Sequence, residues 1–196
     1  MKKIFSILIL FSICGFVVNA QTPEIKIGAK GGVNISNFTN TDADSKVGFY
    51  IGGLAEIFLS EQMSIQPEIL YSAQGAKQNM EGLNGKMNLD YLQIPIMVKY
   101  YVANGFNVHA GPQIGFVTKA EIEFEIGESG KFREDVKDVV NSTDFGLGFG
   151  AGYDLPSGLF FDARYNLGLN KVNKKSYPDE KDVKNSVFQI GLGYKF

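Results

Sequence analysis

Residues 145–153 have the sequence FGLGFGAGY, and a second apolar stretch, LFFDARYNLGL, follows at residues 159–169. From Phe145 to Tyr153 apolar side chains alternate with glycine, and alternation continues through the second stretch. A period of two predicts β-strands that have one apolar face. The turn-forming residues LPSG at positions 155–158 join the two strands, so the segment predicts an antiparallel hairpin.

The same alternation recurs along the rest of the chain. Each predicted strand has about ten residues or more, the length that a tilted strand needs to cross a bilayer and about twice the average of globular strands. The predicted strands cover residues 25–35, 48–57, 63–72, 91–100, 106–116, 144–154, 159–169 and 187–196.

The predicted connections alternate between short turns and long polar loops. Long–short alternation around an even number of strands is typical of an outer-membrane barrel, with the short turns and both termini in the periplasm. The predicted fold class is therefore all-β, an eight-stranded antiparallel up-and-down transmembrane β-barrel. The short turns cover residues 60–62, 102–105 and 155–158, and the long loops cover residues 36–46, 75–87, 118–142 and 171–185.

The composition of the two strand faces indicates which face points outward. One face carries most of the aromatic and large aliphatic residues, which would overfill the interior of an eight-stranded barrel. The other face mixes glycine with charges of both signs, which suits a crowded lumen. The apolar face therefore contacts lipid. Its aromatic residues form two predicted girdles: Phe49, Tyr71, Phe116, Phe145, Tyr165 and Phe188 at one end, and Tyr100, Phe106, Tyr153, Phe161, Tyr194 and Phe196 at the other.

The first twenty residues have the three parts of a secretory signal peptide. Two lysines precede an apolar run over residues 4–18, and the small residue Ala20 ends the segment. We expect residues 1–20 to be cleaved and residues 21–196 to form one barrel domain in the outer membrane. A lipoprotein signal is disfavoured because the bulky Ile13 precedes Cys14.

Charge and cysteine content exclude several classes of protein. Cys14 is the single cysteine, so the mature chain contains no disulfide. The formal net charge is -2, and it becomes more negative when the two signal lysines are removed. This balance gives no basic stripe for nucleic acid. The sequence predicts no cofactor, no metal site and no catalytic residue.

Three prolines conflict with a regular barrel because proline cannot donate to the hydrogen-bond ladder. Pro67, Pro95 and Pro112 each lie inside a predicted strand. We expect local bulges at these positions.

Six motifs are spread along the mature chain: MSIQPEILY (63–71), YLQIPIMVKYY (91–101), HAGPQIGF (109–116), GLGFGAGY (146–153), FDARYNLG (161–168) and FQIGLGYKF (188–196). Together they resemble the PorT-like outer-membrane β-barrel family, which is related in architecture to the OmpA and OmpX barrels. The resemblance covers essentially all of the mature chain. It implies insertion by the outer-membrane assembly machinery, for which the terminal aromatic Phe196 is part of the recognition signal. Named members of the family take part in secretion or gliding machineries.

Charged residues on the glycine-rich face are the main candidate site. One interpretation is a gated or ion-selective path, and the other, which we favour, is a salt-bridged plug in a lumen that side chains fill. We expect Arg164 to contact Glu68 or Glu56. The predicted network consists of Glu56, Glu68, Lys99, Asp162 and Arg164, with Lys26, Lys30 and Asp144 nearer the strand ends.

Other motifs have weaker functional interpretations. Two lumen carboxylates allow acid–base chemistry in principle, but no substrate-sized cavity is predicted. The single histidine, His109, has no second histidine or cysteine to complete a metal site, and Gly111 stands where lipid-deacylating barrels have a serine. The glycines at positions 146, 148, 150 and 152 do not precede a helix, so they do not form a phosphate loop.

Alternation continues beyond Phe116 into the third long loop. We expect the fifth strand to keep its register and to extend beyond the membrane as an acidic flap, whose edge can capture a partner strand. A mobile, solvated hairpin that captures no strand is the interpretation that we favour. The flap residues are Glu121, Ile122, Glu123, Phe124, Glu125 and Ile126. Lysines of the fourth loop are either simply hydrated or bridge phosphates of lipopolysaccharide.

Four functions remain open at the level of the sequence. We favour a non-enzymatic surface barrel that stabilises the envelope or binds partners through its loops. A membrane component of a secretion or gliding assembly is the alternative that the resemblance implies. A narrow channel and a lipid-modifying enzyme are less well supported.

Overall fold

The structure is a computed structural model that describes residues 23–41, 43–80, 83–125, 130–174 and 182–196. The predicted signal peptide at residues 1–20 and the flap residue Ile126 lie outside the described residues. Nine strands are present in the described ranges: β1 Ile25–Phe38, β2 Asp44–Phe58, β3 Met63–Met80, β4 Leu83–Tyr101, β5 Phe106–Glu125, β6 Lys131–Asp135, β7 Thr143–Asp154, β8 Leu159–Gly168 and β9 Asn185–Lys195.

Eight of these strands form a closed antiparallel barrel. β1 pairs with both β2 and β9, and β4 pairs with β5, so the sheet closes on itself. β6 lies outside the barrel and pairs with the far part of β5. The predicted fold class is confirmed. No helix among the described residues is long and apolar enough to cross a membrane.

The two ends of the barrel differ. At the end where β1 begins and β9 ends, which we call the terminal end, strands are joined by the turns 59–62, 102–105 and 155–158. Gly105 and Gly158 adopt φ values of 77° and 91°, which favour glycine. We call the opposite end the loop end.

At the loop end, part of the barrel wall rises well beyond the rest. β5 has 20 residues and β8 has 10, so at about 3.4 Å per residue β5 is about twice as long as β8. We call this extension, formed by residues 75–80, 83–90, 117–125 and β6, the protruding sheet. The predicted loop over residues 75–87 was wrong, because β3 and β4 stay paired as far as Met80 and Leu83.

A change of register separates the protruding sheet from the barrel wall. The pairing shifts between Asp90↔Lys119 and Tyr91↔Val117, so β5 carries a bulge. The expectation that β5 keeps its register was therefore wrong. Beyond the bulge Ile122 pairs with Met87 on the lumen side of the sheet, and the intervening glutamates lie on the outer side.

The expected bulges at the prolines were also wrong. Pro67 pairs with Ile96, Pro95 with Gln113 and Pro112 with Leu147, and the register is the same on both sides of each proline. The register shifts lie elsewhere, in β2–β3 between Ser45 and Tyr50 and in β4–β5 at the bulge. The wall therefore tolerates a missing N–H without displacing the strand.

The predicted division of the two faces is confirmed. Large apolar residues of the wall are exposed on the outside, including Ile51, Phe149 and Ile190 at 59%, 48% and 52% exposure. Polar residues fill the inside, where Glu68 and Arg164 are each 1% exposed. An apolar exterior around a polar interior is the arrangement that a bilayer favours.

Candidate functional site

An ion cluster fills the middle of the lumen. Arg164 of β8 donates two hydrogen bonds to Glu68 of β3, at 3.0 and 2.7 Å. Lys30 of β1 donates to Asp162 at 2.7 Å and lies 3.6 Å from Glu68. The Tyr50 hydroxyl donates to Asp162 at 3.3 Å. We call Lys30, Glu68, Asp162 and Arg164 the central cluster, in which two cations balance two carboxylates.

A second ion cluster lies toward the terminal end. Lys195 contacts Glu56 and Asp154, each at 2.5 Å. Lys99 contacts the same two carboxylates at 3.2 and 3.4 Å. The Tyr101 hydroxyl lies 2.6 Å from Glu56 and 2.7 Å from Asp154, so its single proton can be donated to either carboxylate. We call Glu56, Lys99, Asp154 and Lys195 the terminal cluster, and its formal charges also sum to zero.

The two clusters are connected through Gln66. Its amide nitrogen donates to Glu68 at 2.7 Å, and its amide oxygen accepts from Lys99 at 3.4 Å. A void beside Lys99 and Asp162 has a volume of about 10 Å³, which is room for one water molecule. Buried charges are tolerated only when they are paired and hydrogen-bonded, and both clusters meet this condition.

The structure separates residues that the sequence suggested as one network. Glu68, Asp162 and Arg164 meet in the central cluster, whereas Glu56 and Lys99 belong to the terminal cluster. Arg164 therefore contacts Glu68 and not Glu56. Lys30, which was expected nearer a strand end, lies in the central cluster.

Sequence reasoning missed Lys195 and Asp154. Both lie on the glycine-rich face of their strands, so the alternation alone marks them as lumen residues. They are the last residues of β9 and β7, and the sequence does not show that the barrel brings these two strand ends together.

His109 lies in the wall beside the central cluster. It is 6% exposed, and its ring nitrogens approach Asn107 at 3.3 Å and Arg164 at 3.5 Å. Since its neighbours are an amide and a guanidinium, this geometry provides neither a nucleophile nor a set of metal ligands.

A layer of neutral polar side chains lies between the central cluster and the loop end. Asn166 donates to Gln189, which donates to Asn34, which donates to Ser72, at 2.8, 2.9 and 2.9 Å. Asn185 donates to Gln74 of the same layer. Together these bonds cross the lumen from β8 and β9 to β1 and β3.

Above this layer, apolar residues close the loop end. We call this group the apolar cap: Phe38, Ala76, Leu89, Tyr91, Val117, Ala120, Val140 and Val172. Backbone hydrogen bonds tie its loop segments together, from Asn141 to Val172, from Val172 to Val183 and from Thr39 to Lys184. The cap therefore places buried apolar side chains across the mouth of the lumen.

The protruding sheet has two different sides. On its outer side Arg133 of β6 donates to Glu123 at 2.9 Å, and Lys131 lies 3.2 Å from Glu125. This hydrogen bond from Arg133 lowers the pKa of Glu123 below its ordinary value of 4.5. On the lumen side Phe124 pairs with Phe132, which is 62% exposed. The other edge of β6 has no paired strand among the described residues.

Comparison with solved structures supports the fold. Ail, the attachment invasion locus protein of Yersinia pestis, has 14% identity and a TM-score of 0.53, over 90% of this chain and 100% of that one. CarO2 of Acinetobacter baumannii has 10% identity and a TM-score of 0.52, over 90% and 100%. Both are small barrels with the architecture described above, and at such low identity the likeness extends to the fold alone.

No curated protein matches the chain. A family model described as outer membrane protein beta-barrel domain matches residues 19–174, which include β1 to β8. This match agrees with the closed antiparallel wall and with its apolar exterior. The chain therefore belongs to the outer-membrane protein β-barrel domain family.

Proposed function

We propose that this barrel is a non-conducting, non-enzymatic membrane anchor that presents the protruding sheet to a protein partner outside the cell. The observation that carries the proposal is the contrast between the two parts of the molecule. The lumen is filled by two neutral ion clusters beneath an apolar cap, whereas β6 has an edge that no described strand pairs with, and all five of its residues are exposed.

The filled lumen supports a non-conducting role. Each lysine and carboxylate of the two clusters already has a partner within 4 Å, so none is free to bind a passing ion. The size of the void also argues against acid–base catalysis. The space beside Lys99 and Asp162 is about 10 Å³, which is too small for a substrate. Planar-bilayer recording of the full barrel is expected to show no conductance above leak. Stable unit steps would contradict a closed lumen.

The proposed orientation places the terminal end in the periplasm and the protruding sheet outside the cell. The short turns at the terminal end support this orientation. The proposal also includes three further steps or contacts. The signal peptide directs export, the assembly machinery inserts the barrel through recognition of Phe196, and the aromatic girdles contact outer-membrane lipid and lipopolysaccharide. Phe196 is suited to recognition because it is 81% exposed.

The outer edge of β6 is the proposed binding surface. An exposed edge offers unpaired N–H and C=O groups to an extended segment of another protein. Charged residues flank Phe132, and such charges discourage unspecific pairing. The exposed Phe132 ring gives an incoming strand one apolar contact.

Photo-crosslinking in intact cells tests this surface. A benzophenone amino acid at Phe132 is expected to yield one discrete protein adduct, whereas the same probe at the wall residue Phe149 yields none. A second variant replaces residues 122–134 with Asn-Gly between the paired residues Glu121 and Asp135. This change spares the cap residue Ala120 and also Val136, which packs against the cap. This variant is expected to remain folded and to lose the partner. Absence of an adduct along β6, or retention of the partner by this variant, would contradict the proposal.

The resemblance to the PorT-like family supports a second candidate, a membrane component of a secretion or gliding assembly. Under this alternative the partner is a resident envelope complex. Co-purification of a stable multi-protein complex with the detergent-solubilised barrel would favour it, and a single soluble partner would favour the first proposal.

A further inference from the structure

One lumen carboxylate differs from all those in the two ion clusters. Glu56, Glu68, Asp154 and Asp162 each contact a lysine or arginine within 3.5 Å. Asp144 of β7 has no such contact with any lysine or arginine among the residues that the structure describes. Its Oδ1 atom is buried and has no hydrogen-bond donor. The Asp144 side chain is half-buried, and a carboxylate oxygen that is buried without a partner is costly, so this position favours a compensating charge.

Two further unpartnered oxygens adjoin Asp144. Gln93 and Asn185 are 3% and 4% exposed, and the amide oxygen of each is buried without a partner. Gln93 and Asp144 flank the same glycine, because Gly115 pairs with both in adjacent ladders. A Cβ at Gly115 would lie 3.7 Å from the Gln93 Cγ atom. The side chain of Asn185 lies close enough to Asp144 to interact with its carboxyl group.

We propose that Asp144, Gln93 and Asn185 bind a monovalent alkali cation, Na⁺ or K⁺, in the lumen below the apolar cap. Carboxylate and amide oxygens are the ligands that such hard cations prefer. A single positive charge balances the single carboxylate, whereas a divalent ion would leave one buried charge uncompensated. The cation joins β4, β7 and β9 and gives this group the same charge balance as the two ion clusters.

The site is distinct from the proposed partner surface on β6. If no cation bound here, the proposal of a non-conducting anchor would still stand, because neither ion cluster includes these residues. The three side chains come from three different strands of the folded barrel, so ion binding is expected to stabilise the fold.

Thermal unfolding of the full barrel in detergent tests the site. At equal chloride concentration, the melting temperature is expected to be about 3 °C or more higher in NaCl or KCl than in choline chloride. Asp144→Asn, which keeps the shape of the side chain, is expected to abolish this difference. Asp90→Asn, at an exposed carboxylate that accepts from Tyr71, is the matched control and is expected to retain it.

Diffraction from crystals grown with Rb⁺ gives a second readout that does not need the variant to fold. An anomalous peak next to the oxygens of Asp144 and Gln93 is expected. A wild-type melting temperature that does not depend on the cation, an Asp144→Asn protein that keeps the dependence, or no peak at this position would overturn the proposal. Infrared spectroscopy gives one more contradicting outcome. If the wild type showed the band of a protonated carboxyl group and Asp144→Asn lacked it, Asp144 would be neutral and would need no cation.

Discussion

At the scale of single residues, the lumen combines large and charged side chains with glycines that make room for them. Tyr50 shows this most directly, because its hydroxyl lies over Gly191 and reaches Asp162 of the central cluster. The alternation of glycine with large residues was visible in the sequence. The partners were not, because strand tilt and stagger decide which positions share a layer.

Removal of the negative charge at the centre of the lumen is expected to destabilise the barrel strongly. Glu68→Gln leaves Lys30 and Arg164 with Asp162 as their only carboxylate in the described lumen. The expected loss of unfolding free energy is about 3 kcal/mol or more, because one cation stays buried and uncompensated.

Urea unfolding in lipid or detergent measures this loss. The control is Glu121→Gln on the protruding sheet, where the exposed pair with Lys119 contributes at most about 1 kcal/mol. Equal stability of the two variants would show that the central cluster is not a buried, mutually dependent group.

A methyl group at Gly191 is expected to disturb the lumen, whereas one at Gly53 is not. A Cβ at Gly191 would overlap the Tyr50 hydroxyl and lie 2.6 Å from the Gly31 carbonyl oxygen. At Gly53 the nearest atom would be 3.8 Å away. Gly191→Ala should therefore lose about 1–3 kcal/mol, as overpacking does, and Gly53→Ala should stay within about 0.5 kcal/mol of the wild type. The same unfolding assay compares them, and the reverse order would be inconsistent with the lumen packing.

At the scale of strands, the sequence predicts the part of each strand that has lipid on one side and the lumen on the other. The alternation pattern does not predict strands where the two faces no longer contact lipid and the lumen. Residues 75–87 contain few large apolar side chains, and those that they do contain do not alternate with polar residues, so the period of two disappears although β3 and β4 stay paired.

The bulge in β5 was not predictable for a different reason. The apolar residues Phe116, Ile122 and Phe124 all have even numbers, and a regular strand would place them on one face. The extra residue near Thr118 reverses the faces, and Ala120 enters the apolar cap. Packing against the cap, which involves distant loops, selects this register.

The pairing of β5 with β6 predicts a specific titration. Arg133 donates to Glu123 and holds its pKa below 4.5, so the contribution of this pair to hairpin stability is present at neutral pH and is lost as the pH falls through that lowered pKa. Arg133→Gln is expected to raise the pKa of Glu123 toward its ordinary value.

Carbon-detected NMR of labelled glutamate in detergent micelles measures this pKa. Lys137→Gln is the control, since Lys137 contacts the Thr118 carbonyl oxygen and not Glu123. An unchanged pKa in Arg133→Gln would mean that β6 does not pair with β5 as described.

At the scale of the whole molecule, the fold follows from one requirement, that a sheet in hydrocarbon leave no unpaired backbone groups. Closure through β1 and β9 meets this requirement, and the ion clusters then connect strands that are far apart around the wall. The sequence predicted closure, strand number and the lumen face. It did not predict that the lumen charges divide into two neutral clusters, because that depends on the stagger of the strands.

The central claim is that the apolar face of the wall contacts lipid, and fluorescence quenching tests it most directly. The chain contains no tryptophan, so Phe149→Trp introduces a single fluorophore in the middle of the wall, and Phe132→Trp introduces one on β6. In bilayers with brominated acyl chains, we expect strong quenching at position 149 and none at position 132. If brominated lipid left the fluorophore at position 149 unquenched, while aqueous acrylamide quenched it, the account would be contradicted.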